Sequence, residues 1–393
     1  MNKKIILDIT SLSDQYKNRG IGTYTYNLVH NLVKNKEYDW CLLGFNDQKD
    51  KFKGKNIYFN SLGDVRLSTP LNLLFFKKQY LALIRKIKPD IFFAPHIERG
   101  LPIKTCTTVV TVPDITPFLT NNYSTRGILI NYLKGLFYKY NLNRAKKADL
   151  IITISNFSKS ILVKNGFDKE KVRVAYLGLS ENFDISSLKR VKNRLSILKK
   201  YCIQKPYLLY YGGLEQNKNV DKVLLAFRNI RKSLKIDLVI VDKNLYKDGE
   251  EIVALSSDAG NIKDIIESNS LQEFIILPSF INWEDLPVVL KESEAFVHLS
   301  SFEGFGLAVL EAMSVGTPVV AANRSCYPEI FKNGAVLVDT DNIKEIADNI
   351  IKIIKDEGFR RELSERALKQ ADEYSWKKCS DLTIKYFNEV ANN

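Results

Sequence analysis

The sequence predicts an α/β protein of two doubly wound parallel sheets, and three observations predict it. Short β-branched runs alternate with helical stretches along the 393 residues, the grammar that produces parallel sheets covered by helices. The runs are nearly continuously apolar rather than alternating, as expected of strands buried on both faces. The series stops near Ser180 and starts afresh near Pro206, so the pattern occurs twice in a chain long enough for two or three domains.

In the first series, Lys4–Asp8, Trp40–Phe45, Ile91–Ala94, Thr107–Val112, Leu150–Ile154 and Val172–Tyr176 read as strands. Apolar spacing near 3.6 residues predicts helices over Thr23–Val33, Leu71–Ile87, Ile128–Leu142 and Phe157–Asn165. A basic helical stretch, Lys189–Lys200, marks the boundary. In the second series the strands are Tyr207–Tyr211, Asp237–Val241, Phe274–Leu277, Ala295–Leu299, Pro318–Ala321 and Ala335–Val338. Helices fall near 220–232, 251–267, 285–291, 307–315, 342–355 and 358–373. The closing stretch Tyr374–Val390 is amphipathic, with Trp376 and Tyr386, and no strand follows it. It must pack on a sheet already built. In open α/β sheets ligands bind at the carboxyl ends of strands, so a cleft between the two domains is the expected active site.

Composition narrows the function. Apolar residues make up 45% and charged residues 26%, which excludes disorder, collagen and coiled coil. No apolar run approaches the roughly 18 residues of a membrane helix. The opening Met1-Asn-Lys-Lys-Ile-Ile-Leu-Asp8 reads as a strand, not a secretory signal. Five scattered cysteines without a C-x-x-C pair fit a reducing compartment and argue against a zinc cluster. A cytoplasmic protein is expected. The first 180 residues carry 29 Lys and Arg against 13 Asp and Glu, whereas the rest carry 29 against 32. A basic half implies an anionic partner: nucleic acid, an acidic membrane surface or a phosphate-bearing substrate.

The most informative stretch runs from Ser300 to Pro318. A strand ends at Leu299, a loop carries Glu303, Gly304 and Gly306 allow close backbone approach, and a helix starts near Leu307. Free amides at that helix start make an anion site suited to a diphosphate. Glu303 stands just before it and Glu311 about one turn inside the helix; a carboxylate accepting paired hydroxyls is a natural ligand for a sugar or ribose.

The pattern E-G-F-G-L-x-x-L-E-A-M-x-x-G-x-P-V-V resembles the donor-binding signature of the retaining nucleotide-sugar glycosyltransferases of family 4, which have the GT-B fold. Three further segments are similar to family segments: Tyr207-Leu-Leu-Tyr-Tyr-Gly212-Gly213-Leu-Glu-Gln-Asn217-Lys218-Asn219, Asn18-Arg19-Gly20-Ile21-Gly22-Thr23-Tyr24 and Leu150–Lys159. So is the closing Tyr374-Ser-Trp376. The resemblance implies two Rossmann-like domains facing across a cleft. Residues 1–185 would bind the acceptor and 200–373 the nucleotide sugar, and a helix over 374–393 would return to the first domain. It implies that Glu311 holds the donor ribose and Glu303 the hydroxyls of the transferred sugar. Lys218 and the amides of Gly304, Phe305, Gly306 and Leu307 would hold the diphosphate. The turn Gly212-Gly213 belongs to the same donor site, Leu277-Pro278-Ser279-Phe280 would line the base, and Gly20-Ile21-Gly22 would close over the diphosphate. Glu303, Lys218 and Asp114 are the catalytic candidates, and His96 and Asp114 the acceptor-binding ones. Cationic and amide donors would stabilise the nucleoside diphosphate leaving group; no metal or other cofactor is implied, and the sugar keeps its anomeric configuration.

The chain departs from the family pattern in two places. Pro113-Asp114 stands where His-Asp is common, and Gly213 and Asn217 occupy positions where many relatives carry a second cation. Arg324 is a candidate helper for Lys218. The spaced glycines Gly20 and Gly22 lack the third glycine of a dinucleotide fingerprint, and Asp339-Thr-Asp341 reads as a strand-to-helix turn rather than a metal site. His30 and His298 read as structural histidines. Residues 121–147 interleave Tyr123, Tyr132, Phe137, Tyr138 and Tyr140 with Arg126, Lys134, Lys139, Arg144, Lys146 and Lys147. They form either a face for anionic headgroups or a core helix with snorkelling lysines.

The expected activity is hexosyl transfer from a UDP- or GDP-sugar to a glycan, or lipid-linked glycan, of a bacterial surface polysaccharide such as O-antigen or capsule. Peripheral contact with the inner face of the membrane accompanies it, and nucleic acid is not an expected partner. A GT-B enzyme acting on a soluble acceptor and a degenerate sugar-nucleotide binder are the alternatives. The sequence leaves open the base, sugar, linkage, oligomeric state and the effect of Pro113.

Overall fold

A computed structural model of the chain describes residues 2–13, 20–63, 70–97, 106–113, 115, 128–183, 185–188, 191 and 193–391, and only the backbone at 70–77, 128–134, 186 and 187. The chain divides into two compact units, Met1–Gly178 with Ser375–Asn393, and Leu179–Tyr374.

The first unit is a seven-stranded sheet in the order β3-β2-β1-β4-β5-β6-β7. Its elements are β1 (Lys3–Asp8), α1 (Gly20–Leu32), β2 (Tyr38–Gly44), β3 (Ile57–Ser61), α2 (Pro70–Ile87), β4 (Ile91–Ala94), β5 (Thr107–Thr111), α3 (Ile128–Ala145), β6 (Leu150–Thr153), α4 (Asn156–Lys164) and β7 (Val172–Val174). All neighbours pair in parallel, with Ile5 opposite both Trp40 and Ile91. The strand order reverses between β1 and β4. β4 and β6 are buried along their whole length, β5 at all but its first residue and β1 over its last four, which is why their sequences are apolar runs.

The second unit holds α5 (Ile185–Leu188), α6 (Arg194–Lys200), β8 (Tyr207–Tyr211), α7 (Val220–Arg231), β9 (Asp237–Val241), the hairpin β10 (Leu245–Asp248) and β11 (Glu251–Ala254), and α8 (Ser257–Ser268). It continues with β12 (Ile275–Ile276), α9 (Leu286–Glu292), β13 (Ala295–His298), α10 (Leu307–Ser314), β14 (Val319–Ala322), α11 (Tyr327–Phe331), β15 (Val336–Val338), α12 (Ile343–Lys355) and α13 (Glu357–Ala371). Six parallel strands run β12-β9-β8-β13-β14-β15, reversing between β8 and β13. Phe227, Leu238, Ile240, Val297, Val320 and Ile350 belong to one core cluster on this sheet. Side-chain caps fix several helix starts: Ser256 accepts from the Ala259 amide, Asn342 from Glu345 and Asp356 from Phe359, contributions of about 1 kcal/mol each.

The last helix, α14 (Trp376–Ala391), belongs to the first unit. It packs along α1, with Trp376 6.0 Å from Tyr24 and Phe387 5.3 Å from Phe93 between ring centroids. Tyr386 donates to the Val174 carbonyl at 2.7 Å. The orphan helix therefore finds its apolar partners in the first unit.

Four local expectations are corrected. The helix assigned near 251–267 begins at Ser257, and its front is the second strand of a hairpin that turns at Gly249, where φ is +62°. Isolation from the main sheet and a two-residue loop make that pair invisible to helical periodicity. The edge strand β3 was missed because its residues are only half-buried, which leaves no apolar run to read. The short helix α11 was missed because Pro328 sits in its first turn, a position that proline tolerates only at a helix start. Finally, the helix expected from Thr23 already starts at Gly20, so Gly20, Ile21 and Gly22 form its first turn.

Candidate functional site

In the second unit the strand order reverses between β8 and β13, the place where doubly wound sheets bind ligands. The loops leaving these two strands are stitched together by short side chains. Asn219 donates to the Leu299 carbonyl at 2.7 Å, the Ser301 amide to the Asn217 carbonyl at 2.8 Å, and Asn217 to the Phe302 carbonyl at 3.3 Å. Asn219 can do this because it takes the left-handed conformation, φ 52° and ψ 41°, which asparagine tolerates. Lys218 is thereby aimed at Glu303: Nζ lies 2.5 Å from Oε1, with each side chain 19% exposed. Burial alone would raise the Glu303 pKa, but the charge and hydrogen bond of Lys218, helped by His298 and Ser300, hold it below the ordinary carboxyl value. The pair is ionised at neutral pH.

The Glu303 loop is pinned from behind. Its amide donates to Ser325 Oγ at 2.8 Å, and that hydroxyl donates back to the Glu303 carbonyl at 2.6 Å. Gly306 then opens α10 with φ +89°. A Cβ there would lie 2.6 Å from Tyr327 and 2.9 Å from Phe331, so only glycine makes this turn. Its N-cap is this glycine, which offers no side-chain cap, and a helix start of that kind presents its first amides to an anion. Phe305 is buried against Tyr374, ring centroids 5.5 Å apart.

Glu311 is 5% exposed, and Tyr211, the last residue of β8, donates its hydroxyl to Glu311 Oε2. Burial pushes the Glu311 carboxyl well above the usual range. The imidazole of His298 stacks between Tyr210 and Phe296, centroids 5.7 and 5.9 Å away, and its Nδ1 meets the Tyr327 hydroxyl at 2.7 Å. Burial first, and then the charge of Lys218, lower its pKa to about 4 against the pull of Glu303, so the ring is neutral at pH 7. Its Nε2 borders Gly212, whose φ is +148°. The site thus combines an ionised carboxylate, an ammonium, the start of a helix and a buried acid.

The structure brings Lys218, Glu303, Gly304, Phe305, Gly306, Leu307 and Glu311 to one edge of one sheet, next to the Gly212-Gly213 turn. Pro278, Ser279 and Phe280 stand at the same carboxyl edge but after β12, two strands from β8; Phe280 is 65% exposed and Ser279 has φ +64°. Arg324 is no helper of Lys218: it is held by Asp341 at 2.5 Å and Asp339 at 3.4 Å, because those carboxylates form the turn beside it. The Asp341 amide donates to Asp339, so Asp339-Thr-Asp341 is the turn that was expected. Among the described residues, none lies within 4 Å of the position a Cβ on Gly20 would take. His96 is 5% exposed in the first unit. Asp114 lies outside the described residues, as do Asn18 and Arg19.

Sequence reasoning missed Tyr211, Ser325 and Tyr327; His298, read as structural, is indeed buried, stacked and hydrogen-bonded to Tyr327. The available signal was position: Tyr211 immediately precedes a Gly-Gly turn at a strand end. A separate cavity at the amino-terminal edge of the same sheet, lined by Lys205, Glu292, Glu294 and Arg360, lies away from this chemistry. Its charges largely neutralise one another through Lys205–Glu292 and Arg360–Glu294.

Such a fold and switch-point site define a GT-B glycosyltransferase. The family description "Glycosyltransferase Family 4" matches residues 18–183, and "Glycosyl transferases group 1" matches residues 197–370. The chain belongs to the family 4 glycosyltransferases. It is 26% identical over 391 residues to O-antigen chain mannosyltransferase B of Escherichia coli, covering 94% of this chain and 96% of that protein. Its fold is similar to that of WaaG, a glycosyltransferase involved in lipopolysaccharide biosynthesis, with TM-score 0.70, 14% identity and 97% and 98% of the two chains covered. It is also similar to Anabaena Alr3699/HepE in complex with UDP-glucose, with TM-score 0.68, 16% identity and 98% and 99% covered.

Proposed function

We propose that this glycosyltransferase transfers a hexose, with retention of anomeric configuration and without a metal, from a UDP- or GDP-sugar to a glycan acceptor in bacterial surface polysaccharide synthesis. The observation that carries this reading is the convergence of the Lys218–Glu303 pair, the uncapped start of α10 and the buried Glu311. Lys218 and the amides from Gly304 to Leu307 receive the diphosphate and stabilise it as it leaves. Glu303 accepts hydroxyls of the transferred sugar, and Glu311 accepts those of the ribose. Pro278, Ser279 and Phe280 line the base, Gly20, Ile21 and Gly22 approach the diphosphate, and His96 and Asp114 bind the acceptor. The nucleotide sugar is a co-substrate, and no further cofactor takes part.

The named relative is a mannosyltransferase of O-antigen synthesis, which makes GDP-mannose the first donor to test. An acceptor at the cytoplasmic membrane face suits α3, where Leu136, Phe137 and Tyr140 are 48%, 38% and 50% exposed beside the exposed Lys139 and Lys147. Exposed aromatics among lysines support docking on anionic headgroups. No helix among the described residues is long and apolar enough to cross a membrane.

The test is a thermal-shift panel of UDP, GDP, UDP-glucose and GDP-mannose on the protein and its Glu311→Ala variant, since a ligand bound only by the native state raises Tm. One nucleotide series should raise Tm in the protein and not in the variant; no shift with any of the four would overturn the donor assignment. NMR of the product anomer, with and without a chelator, tests retention and metal independence.

A further inference from the structure

The cavity at the amino-terminal edge of the second sheet, about 650 Å³ in volume, keeps a positive charge after its ion pairs are counted. Lys205 and Arg194 share one carboxylate, Glu292: Nζ lies 3.0 Å from Oε2 and Nη1 3.0 Å from Oε1. Arg360 takes Glu294 at 2.9 Å and reaches Glu357 at 3.9 Å. Lys291 and the exposed Arg361 line the same cavity, and neither pairs with a carboxylate among the described residues. Cations therefore exceed carboxylates there. Lys291, near the end of α9, is partly buried, and its Nζ lies 3.3 Å from where a Cβ on Gly316 would stand. Burial first, and then the charge of Arg194, lower the Lys291 pKa. A half-buried ammonium beside a second cation lacks the counter-ion that normally offsets lost hydration. An anion entering the cavity would supply it.

The lining also defines the kind of anion. Its apolar members are Gly316 and Pro318 alone, so it presents no large apolar side chain to an acyl chain or to the aromatic anchors of a protein partner. Glu294 Oε2 is engaged by Arg360, whereas Oε1 makes no hydrogen bond among the described residues and can accept a hydroxyl. Ammonium and guanidinium groups suit a phosphate, and a carboxylate suits hydroxyls. We infer that this cavity binds a sugar phosphate, with the phosphate on Lys291, Arg361 adding charge at the exposed rim, and a hydroxyl on Glu294. Lys205 and Glu294 precede β8 and β13, whereas Lys218 and Glu303 follow them. The ligand therefore sits at the opposite end of the strands from the donor chemistry and is not the nucleotide sugar.

Glucose 6-phosphate is the probe, titrated calorimetrically into the full chain beside inorganic phosphate. It should bind more tightly than inorganic phosphate. Lys291→Met, which keeps the aliphatic stem, should weaken it about tenfold, the loss expected when a charged hydrogen-bond partner goes. Arg361→Ala, at an exposed position, should weaken it less and keeps the test open if Lys291→Met does not fold. Binding should survive Lys218→Ala, which removes the donor-site cation. No binding of glucose 6-phosphate, affinity no better than that of inorganic phosphate, or binding that Lys291→Met and Arg361→Ala both leave unchanged overturns the inference. Phosphatidylglycerol vesicles separate a lipid source of the phosphate: capture of the protein that Lys291→Met abolishes, without binding of glucose 6-phosphate, also overturns it. Failure of the donor reading appears separately, as absence of GDP and UDP binding while glucose 6-phosphate still binds.

Discussion

Lys218 Nζ and Glu303 Oε1 lie 2.5 Å apart although 85 residues separate them in sequence. Each side chain is about four-fifths buried, so each is the other's main compensation for lost hydration. In the proposed donor site the phosphates and the transferred sugar would be read by two halves of one ion pair.

The pair sets a pH dependence. The folded-state pKa of Glu303 lies below its ordinary 4.5 because of Lys218, so its contribution to stability is present above the unfolded value and lost as pH falls through the folded one. Urea unfolding of the protein and Glu303→Gln should differ at pH 7, and the difference should shrink as pH drops below about 4.5. Lys218→Ala, which strands the carboxylate, should cost roughly 1–3 kcal/mol.

Glu311 carries the opposite sign. Its folded-state pKa is raised by burial, so its contribution is fully present below the unfolded value and lost as pH rises through the folded one. Glu311→Gln keeps an acceptor for Tyr211 and removes the charge. Its Tm should match that of the protein near pH 4 and exceed it at pH 7, while nucleotide-sugar binding falls. Scanning calorimetry at the two pH values, with and without GDP-mannose, checks both halves.

His298 should behave as a neutral residue down to acid pH. Its pKa is lowered from 6.5 to about 4, so its stabilising contribution is complete above 6.5 and is lost as pH falls toward 4. The pH–rate profile above pH 5 should contain no limb from His298, and NMR titration of its ring should give a midpoint near 4. Tyr327→Phe leaves the buried Nδ1 without its hydroxyl and should cost about 1–2 kcal/mol in denaturant unfolding.

Two glycines report on backbone contact. Gly306→Ala forces a side chain into φ +89° and against Tyr327 and Phe331, and should lower unfolding free energy by roughly 1–3 kcal/mol. Gly178→Ala would set a Cβ 2.0 Å from the Trp376 amide nitrogen, where neither backbone can give way. It should displace the start of α14, seen as an altered Trp376 fluorescence and a loss of about 3 kcal/mol; an unchanged spectrum and stability would refute the close crossing.

The sequence by itself determined the two-sheet architecture, because strands buried on both faces must be apolar runs whatever their neighbours are. It also marked Gly304 and Gly306 as places of close backbone approach, and offered residue types suited to a diphosphate and sugar hydroxyls. Strand order was decided only by the tertiary structure, which places β8 beside β13 and β1 beside β4. That permutation is what joins Tyr211 to Glu311 and Lys218 to Glu303, and it seats α14 against α1. It also assigns Arg324 to Asp341 rather than to the donor. Partner and burial fix whether a carboxylate is charged, and both come from residues far away along the chain, so the electrostatics of the site could not be read before its neighbours were known.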